Sequence, residues 1–148
     1  MREPAIAWQP ATVPADVVSQ ELASTLDFLP TFCSLAGIEA PQDRPLDGYD
    51  ITAVIKGGKS ARKEMYFYRE YELMAARVGP WKAHFLTQAG YNQPKADKHD
   101  PPLLFNLEVD AGESYNVAAK HPEVLAAIQA AVEKHRAGMK PAASQLDL

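Results

Sequence analysis

The chain has 148 residues, 47% of them hydrophobic and 23% charged, a length and composition that suit one modest globular unit and argue against disorder. Its formal charge of −4 leaves no excess of Lys and Arg for a nucleic-acid partner, and no long apolar run offers a membrane span. A single cysteine, Cys33, excludes an internal disulfide and a thiolate metal site built by this chain alone.

The opening "MREPAIAWQPATVPADV" lacks the uninterrupted apolar core of a secretory signal. It reads as a short strand, Ala5 to Trp8, that starts without a leader, as if something preceding it were absent. Arg2 and Glu3 are expected to form a local ion pair. After the prolines at 10 and 14, Ser19 or Ser24 is placed to cap a helix. Apolar residues recur at helical spacing through Leu22, Leu26, Leu29, Phe32, Cys33 and Leu35. Pro30 fits the first turn of a helix from Leu29 to Ala36, Asp27 its cap and Gly37 its left-handed stop. "EAPQDRPLDGYDI" is turn-rich, with Asp47-Gly48 a turn and Asp50 a second cap, and "DITAVIKGGKS" reads as one short helix.

Three strands are expected next, over Glu64–Arg69, Leu73–Val78 and Trp81–Thr87, the last two joined by a Gly79-Pro80 hairpin. A polar loop runs from Gln88 to Pro102, "LLFNLE" restores a strand and "VDAGESYN" is a turn. "HPEVLAAIQAAVEKHRAGM" is the clearest helix: Pro122 opens it, Glu123 complements its positive end, and Val124, Leu125, Ile128, Ala131, Val132 and His135 share a face. The tail after Met139 is expected to fray. The class is therefore α+β, a small antiparallel sheet of four strands with a C-terminal helix across one face.

Several phrases stand in an order that resembles the C-terminal third of the type I sulfatases, close to the arylsulfatase A-like group. They are "REPAIAWQP", "STLDFLPTFCSLAGI", "LDGYDI", "ARVGPWKAHF", "PPLLFNLEVDAGESYNVA" and "HPEVL". The resemblance implies an alkaline-phosphatase-like architecture: residues 1–58 as the last strand and helix of the large α/β domain, and 59–148 as the small C-terminal subdomain. It also implies a formylglycine nucleophile and a calcium or magnesium ion in an intact member. The formylglycine motif, Cys/Ser-x-Pro/Ala-x-Arg, does not occur here, since Cys33 is followed by "SLAGI". No catalytic residue, metal ligand or bound cofactor is assigned to this chain, which is expected to be inactive alone.

The "ARVGPWKAHFL" stretch gathers Arg77, Lys82 and His84 around a turn, and Lys82 and His84 alternate onto one face of a strand. Two readings stay open: a solvated polar face over a buried Trp81 and Phe85, or the rim of a substrate cleft. The resemblance places "KAHF" near the substrate's aryl group or sugar and makes His84 a contact, with Lys82 and Arg77 beside it. Glu108, Asp110 and Glu113 read as a solvated turn without a calcium-loop pattern. His99, His121 and His135 lack partners at metal-ligand spacing, and Cys33 reads as a small buried hydrophobe.

As an enzyme part, the chain would meet a sulfate ester only within an intact sulfatase. The alternative is a non-enzymatic module that forms a homo-oligomer, or binds a partner, through Leu22, Leu26, Leu29 and Phe32. A weaker third reading is a phosphatase or phosphonate hydrolase relative. No membrane or nucleic-acid partner is expected.

Overall fold

Polar side chains, more than apolar ones, order the first of two units seen in a computed structural model of the chain, which describes residues 3–90 and 95–139. The units are Met1–Lys63 and Glu64–Leu148. Arg2 and the tail from 140 onward lie outside the described residues, so the Arg2–Glu3 pair and the fraying do too.

In the first unit, Ala5 to Trp8 carries no strand. A strand is completed by ladder hydrogen bonds, and no described segment pairs with this one, so Ile6 and Trp8 stay exposed. Ser24, one of the two expected caps, opens a single 3-10 turn, Thr25–Asp27. Its Oγ accepts from Leu26 N–H while Asp27 Oδ2 accepts from Ser24 N–H at 2.7 Å, a reciprocal capping box.

The turn leads into helix α1, Phe28–Ala36, with Pro30 in its first turn and Gly37 ending it at φ 69°. There the Ile38 N–H donates to the Cys33 carbonyl and the Gly37 N–H to Ser34, satisfying carbonyls the helix leaves open. Asp27 precedes α1 but makes no cap bond to it, a correction to the expected cap. Its carboxylate points the other way, to Tyr49 N–H and Arg62. Thr31 Oγ donates to the Asp27 carbonyl and accepts from Ile51 N–H, tying α1 to helix α2, Thr52–Ile55. Asp50 accepts from Thr52 N–H at 2.8 Å, but Ile51 holds the cap position of α2 and makes no side-chain cap bond, so the expected second cap is instead a turn contact one residue upstream. Among the described residues of this unit, Cys33, Ile51 and Val54 are the buried hydrophobes.

Gly48 is needed for room. A Cβ there would sit 2.0 Å from the Leu26 carbonyl oxygen, a backbone atom that cannot rotate away. We expect Gly48→Ala to destabilise this unit by about 1–3 kcal/mol, read from urea denaturation followed by circular dichroism.

The second unit holds one antiparallel sheet in the order β1-β2-β3-β4, with β1 Glu64–Arg69, β2 Glu72–Val78, β3 Trp81–Thr87 and β4 Asp97–Asn106. The Gly79-Pro80 hairpin pairs Val78 with Trp81, and Gly79 takes φ 56° while proline holds a negative φ, which suits the twist of paired strands. β4 starts well before "LLFNLE", inside what reads as loop. Asp97 and Lys98 are polar yet pair with Thr87 and Leu86, because an outer strand can extend its ladder with exposed polar side chains. Residues 91–94 of that expected loop lie outside the described residues.

Helix α3, Pro122–Gly138, covers one face of the sheet. Leu125, Ile128 and Val132 pack on Leu73, Ala76, Ala83 and Leu104. Ala76 and Ala83, both fully buried, keep the middle of the sheet flat enough for the helix to seat closely. Asn116 Oδ1 accepts from Leu104 N–H and Ala118 N–H, fastening the connection from β4 to α3. At the far end of α3, His135 stacks on Tyr66 with centroids 3.8 Å apart, and its Nε2 is buried with no hydrogen-bond partner. His135→Phe keeps the stack and removes the unpaired polar atom. It is expected to raise stability by about 1 kcal/mol in the same denaturation experiment.

Candidate functional site

The sheet has a second face, opposite α3, and its residues follow from the register. Phe67, Ala75 and His84 lie in one row, Met65, Arg77, Lys82 and Phe105 in the next. Strand alternation therefore brings Lys82 and His84 together, with Arg77 directly across from Lys82. Arg77 Nε donates to the Gly79 carbonyl at 2.9 Å, at the hairpin itself.

What joins the first two is Glu113. Lys82 Nζ donates to Glu113 Oε1 at 2.6 Å, and His84 Nε2 meets Glu113 Oε2 at 2.5 Å. The side chains are 8% (Lys82), 19% (His84) and 20% (Glu113) exposed, so this is a largely buried cluster and not a solvated face. That corrects the polar-face reading for Lys82, although Trp81 and Phe85 do pack against the core as that reading expected. Phe67 lies under Lys82 Nζ, 5.0 Å from ring centroid to nitrogen, and Phe105 meets His84 edge-on.

The acidic stretch after β4 divides by role. Asp110 accepts from Ser114 N–H and Tyr115 N–H and so shapes the turn. Glu108 stays exposed. Glu113 takes φ 56°, a left-handed conformation that reverses the chain and carries its carboxylate back to β3. Reading the three acids as one solvated turn missed this. The signal was on β3: two cationic residue types on one face of a strand need a carboxylate if that face is covered.

Burial holds the His84 imidazole below its ordinary pKa, with Lys82 adding to the effect and the Glu113 hydrogen bond opposing it. His84 is thus neutral near neutral pH. For Glu113, burial would raise the pKa, but hydrogen bonds from Lys82 and His84 outweigh it and keep the carboxyl below its usual range. Elsewhere, His99 Nε2 pairs with Thr87 Oγ at 2.8 Å, His121 packs on Trp81, and Cys33 is buried and free.

Among the described residues no three His, Cys, Asp or Glu side chains gather closely enough to hold a metal ion. The calcium or magnesium ion implied by the resemblance finds no donor set in them.

Residues 60–148 match the family model described as the C-terminal region of aryl-sulfatase. Human arylsulfatase A is 41% identical over 87% of the chain, and N-acetylgalactosamine-6-sulfatase of Sus scrofa is 34% identical over all of it. The PsFucS1 sulfatase from Pseudoalteromonas sp. superposes with a TM-score of 0.78 over 89% of the chain at 24% identity, a likeness of fold. The match spans 29% of the first of these proteins, 33% of the second and 29% of the third, so the chain corresponds to about a third of each.

Proposed function

This chain belongs to the sulfatases, as the C-terminal region of an aryl-sulfatase, and from that premise we propose that it forms one wall of a sulfate-ester cleft. The observation that supports the reading is the Lys82–Glu113–His84 cluster on the sheet face that α3 leaves uncovered. A sheet needs no buried ammonium–carboxylate–imidazole group for its own stability, and such pairs cost desolvation energy to form. Their use is to hold a contact residue still. In this reading His84 touches the part of the substrate that leaves as an alcohol, Lys82 and Glu113 hold it there, and Arg77 borders the same face.

Cleaving a sulfate ester requires an activated oxygen nucleophile and a cation to neutralise charge on the transferred group. The formylglycine motif that supplies the nucleophile in the family is missing from the sequence. The 148-residue chain, assayed with 4-nitrophenyl sulfate in calcium or magnesium, is therefore expected to release nitrophenol no faster than buffer. Metal-dependent turnover above that rate would overturn the assignment of a binding, non-catalytic role.

A second reading rests on the outer side of α1. Of the expected patch, Leu29 and Phe32 on the helix and Leu26 in the turn before it are exposed, Phe32 at 61%, whereas Leu22 is half-buried; Phe28 joins them, stacking on Phe32 at 5.7 Å. Such a patch would pair with a second copy of the chain. Light scattering tests it: a dimer that Phe32→Glu returns to monomer supports self-association, and a monomeric parent chain excludes it.

A further inference from the structure

Glu113 does more than neutralise Lys82, because a carboxylate can only accept hydrogen bonds. With Glu113 ionised, the 2.5 Å contact from Oε2 to His84 Nε2 requires the hydrogen to lie on that ring nitrogen. The neutral ring then carries no hydrogen on Nδ1, which becomes a lone-pair acceptor. Nδ1 makes no hydrogen bond among the described residues, and the His84 side chain keeps 19% of its surface exposed.

The charges point the same way. Lys82 and Glu113 cancel, His84 is neutral, and Phe67 and Phe105 flank the group. A sulfate oxygen would bring a lone pair against the Nδ1 lone pair and find no net charge in the Lys82–Glu113–His84 group, while Arg77 on the same face gives its Nε–H to the Gly79 carbonyl. A hydroxyl or amide N–H would find an acceptor held in place.

We propose that Glu113 is a positioning residue that locks His84 as the Nε2–H tautomer, so that Nδ1 recognises a hydrogen-bond donor on the alcohol half of a sulfate ester. This rests on the cleft-wall reading and narrows it to the group that fixes the ring: Glu113, by holding the Nε2–H, decides that His84 meets its substrate as an acceptor. The His84 contact reads the alcohol and not the sulfate. Glu113 achieves this through a backbone that Asp110 braces, since Asp110 Oδ2 accepts from both Ser114 N–H and Tyr115 N–H at 2.8 Å.

Two measurements test it. Long-range proton–nitrogen NMR on the chain at pH 8 should show His84 as the Nε2–H tautomer alone, and in the double variant Lys82→Met/Glu113→Ala as a mixture or as Nδ1–H. That double variant leaves no uncompensated ammonium and so preserves the fold. An Nδ1–H ring in the parent chain, or an unchanged tautomer in the variant, overturns the proposal whatever the chain's role in sulfate-ester hydrolysis.

The second measurement uses a full-length sulfatase carrying this C-terminal region. His84→Ala should lower kcat/KM for a sugar sulfate with free hydroxyls about tenfold more than for 4-nitrophenyl sulfate. Equal losses on both substrates overturn donor recognition but leave the cleft wall standing. No loss on either overturns the cleft wall itself, and the NMR result then stands as a structural fact alone.

Discussion

Arg62→Leu is expected to destabilise the Met1–Lys63 unit by about 3–5 kcal/mol, a large share of the stability of an ordinary domain. The reason lies in what the substitution leaves behind. Asp27 is 0% exposed and Arg62 6%, and the guanidinium reaches both carboxylate oxygens while its Nη2 also donates to the Asp47 carbonyl at 2.9 Å. Tyr49 stacks over the guanidinium, 4.8 Å from its ring centroid. Removing Arg62 strands a buried charge and frees the Asp47 carbonyl. Lysine in its place restores a charge but not the two-pronged geometry, so Arg62→Lys should recover only part of the loss.

The same pair makes the unit sensitive to acid. Burial would raise the Asp27 pKa, but hydrogen bonds from Arg62, Tyr49 N–H and Ser24 N–H, together with the Arg62 charge, outweigh it and hold the pKa below the ordinary value. A carboxyl with a depressed folded pKa contributes stability that is full above its unfolded pKa and lost as pH falls through the folded one. Urea midpoints for the parent should therefore drop below the usual carboxylate range, while those for Arg62→Leu change less over that interval. A cost under about 1 kcal/mol for Arg62→Leu would show that the pair does not hold this unit together.

Glu113→Ala is the second large effect, about 3 kcal/mol in the Glu64–Leu148 unit, because it abandons Lys82 beneath the sheet surface. Adding Lys82→Met should recover most of that loss. An apolar side chain of similar length fills the space over Phe67 without needing a counter-charge. The coupling between the two sites, read from the four denaturation curves of the cycle, is the measurement that checks it. Additive costs would mean that the ammonium and carboxylate act independently.

Acid should weaken this unit in two stages. His84 has its pKa lowered by burial, so the unfolded ring takes up its proton first, and stability begins to fall as pH drops below the ordinary imidazole value of about 6.5. Glu113 follows below the usual carboxylate range, since its pKa is also lowered in the folded state. Both losses have the same sign, and His84→Ala should erase the first and reduce the second, since His84 is one of the two hydrogen-bond donors to Glu113.

Much of the second unit was legible residue by residue. "EMYFYR" and "WKAHFLT" became β1 and β3 with the expected ends, and Gly79-Pro80 turned the chain between β2 and β3. Helix α3 began at Pro122 and buried Leu125, Ile128 and Val132 on the face that its spacing predicted. These are local matters, decided by side-chain alternation, helical period and the fixed φ of proline. The family was legible too, because its phrases are contiguous and keep their order.

The errors have a common physical origin. Ala5 to Trp8 has the composition of a strand, but a strand exists only where another segment supplies its ladder. β4 began earlier than its apolar run because the pairing with Thr87 and Leu86, and not the hydropathy of Asp97 and Lys98, extended it. Asp27 looked like a cap because it stands one residue before α1, yet Arg62, 35 residues away, claimed its carboxylate.

From local pattern alone come β1, β3, the Gly79-Pro80 turn, α3, the shared face of Lys82 and His84, and the membership in the sulfatases. Packing adds that Glu113 joins those two side chains, that Asp27 and Arg62 form a buried hub, that β4 begins at Asp97, and that Gly48 must have no side chain. Periodicity records which way a side chain faces along its own segment. Which charge it meets, or which carbonyl presses on it, depends on segments distant in the chain, and that information appears only once they are packed together.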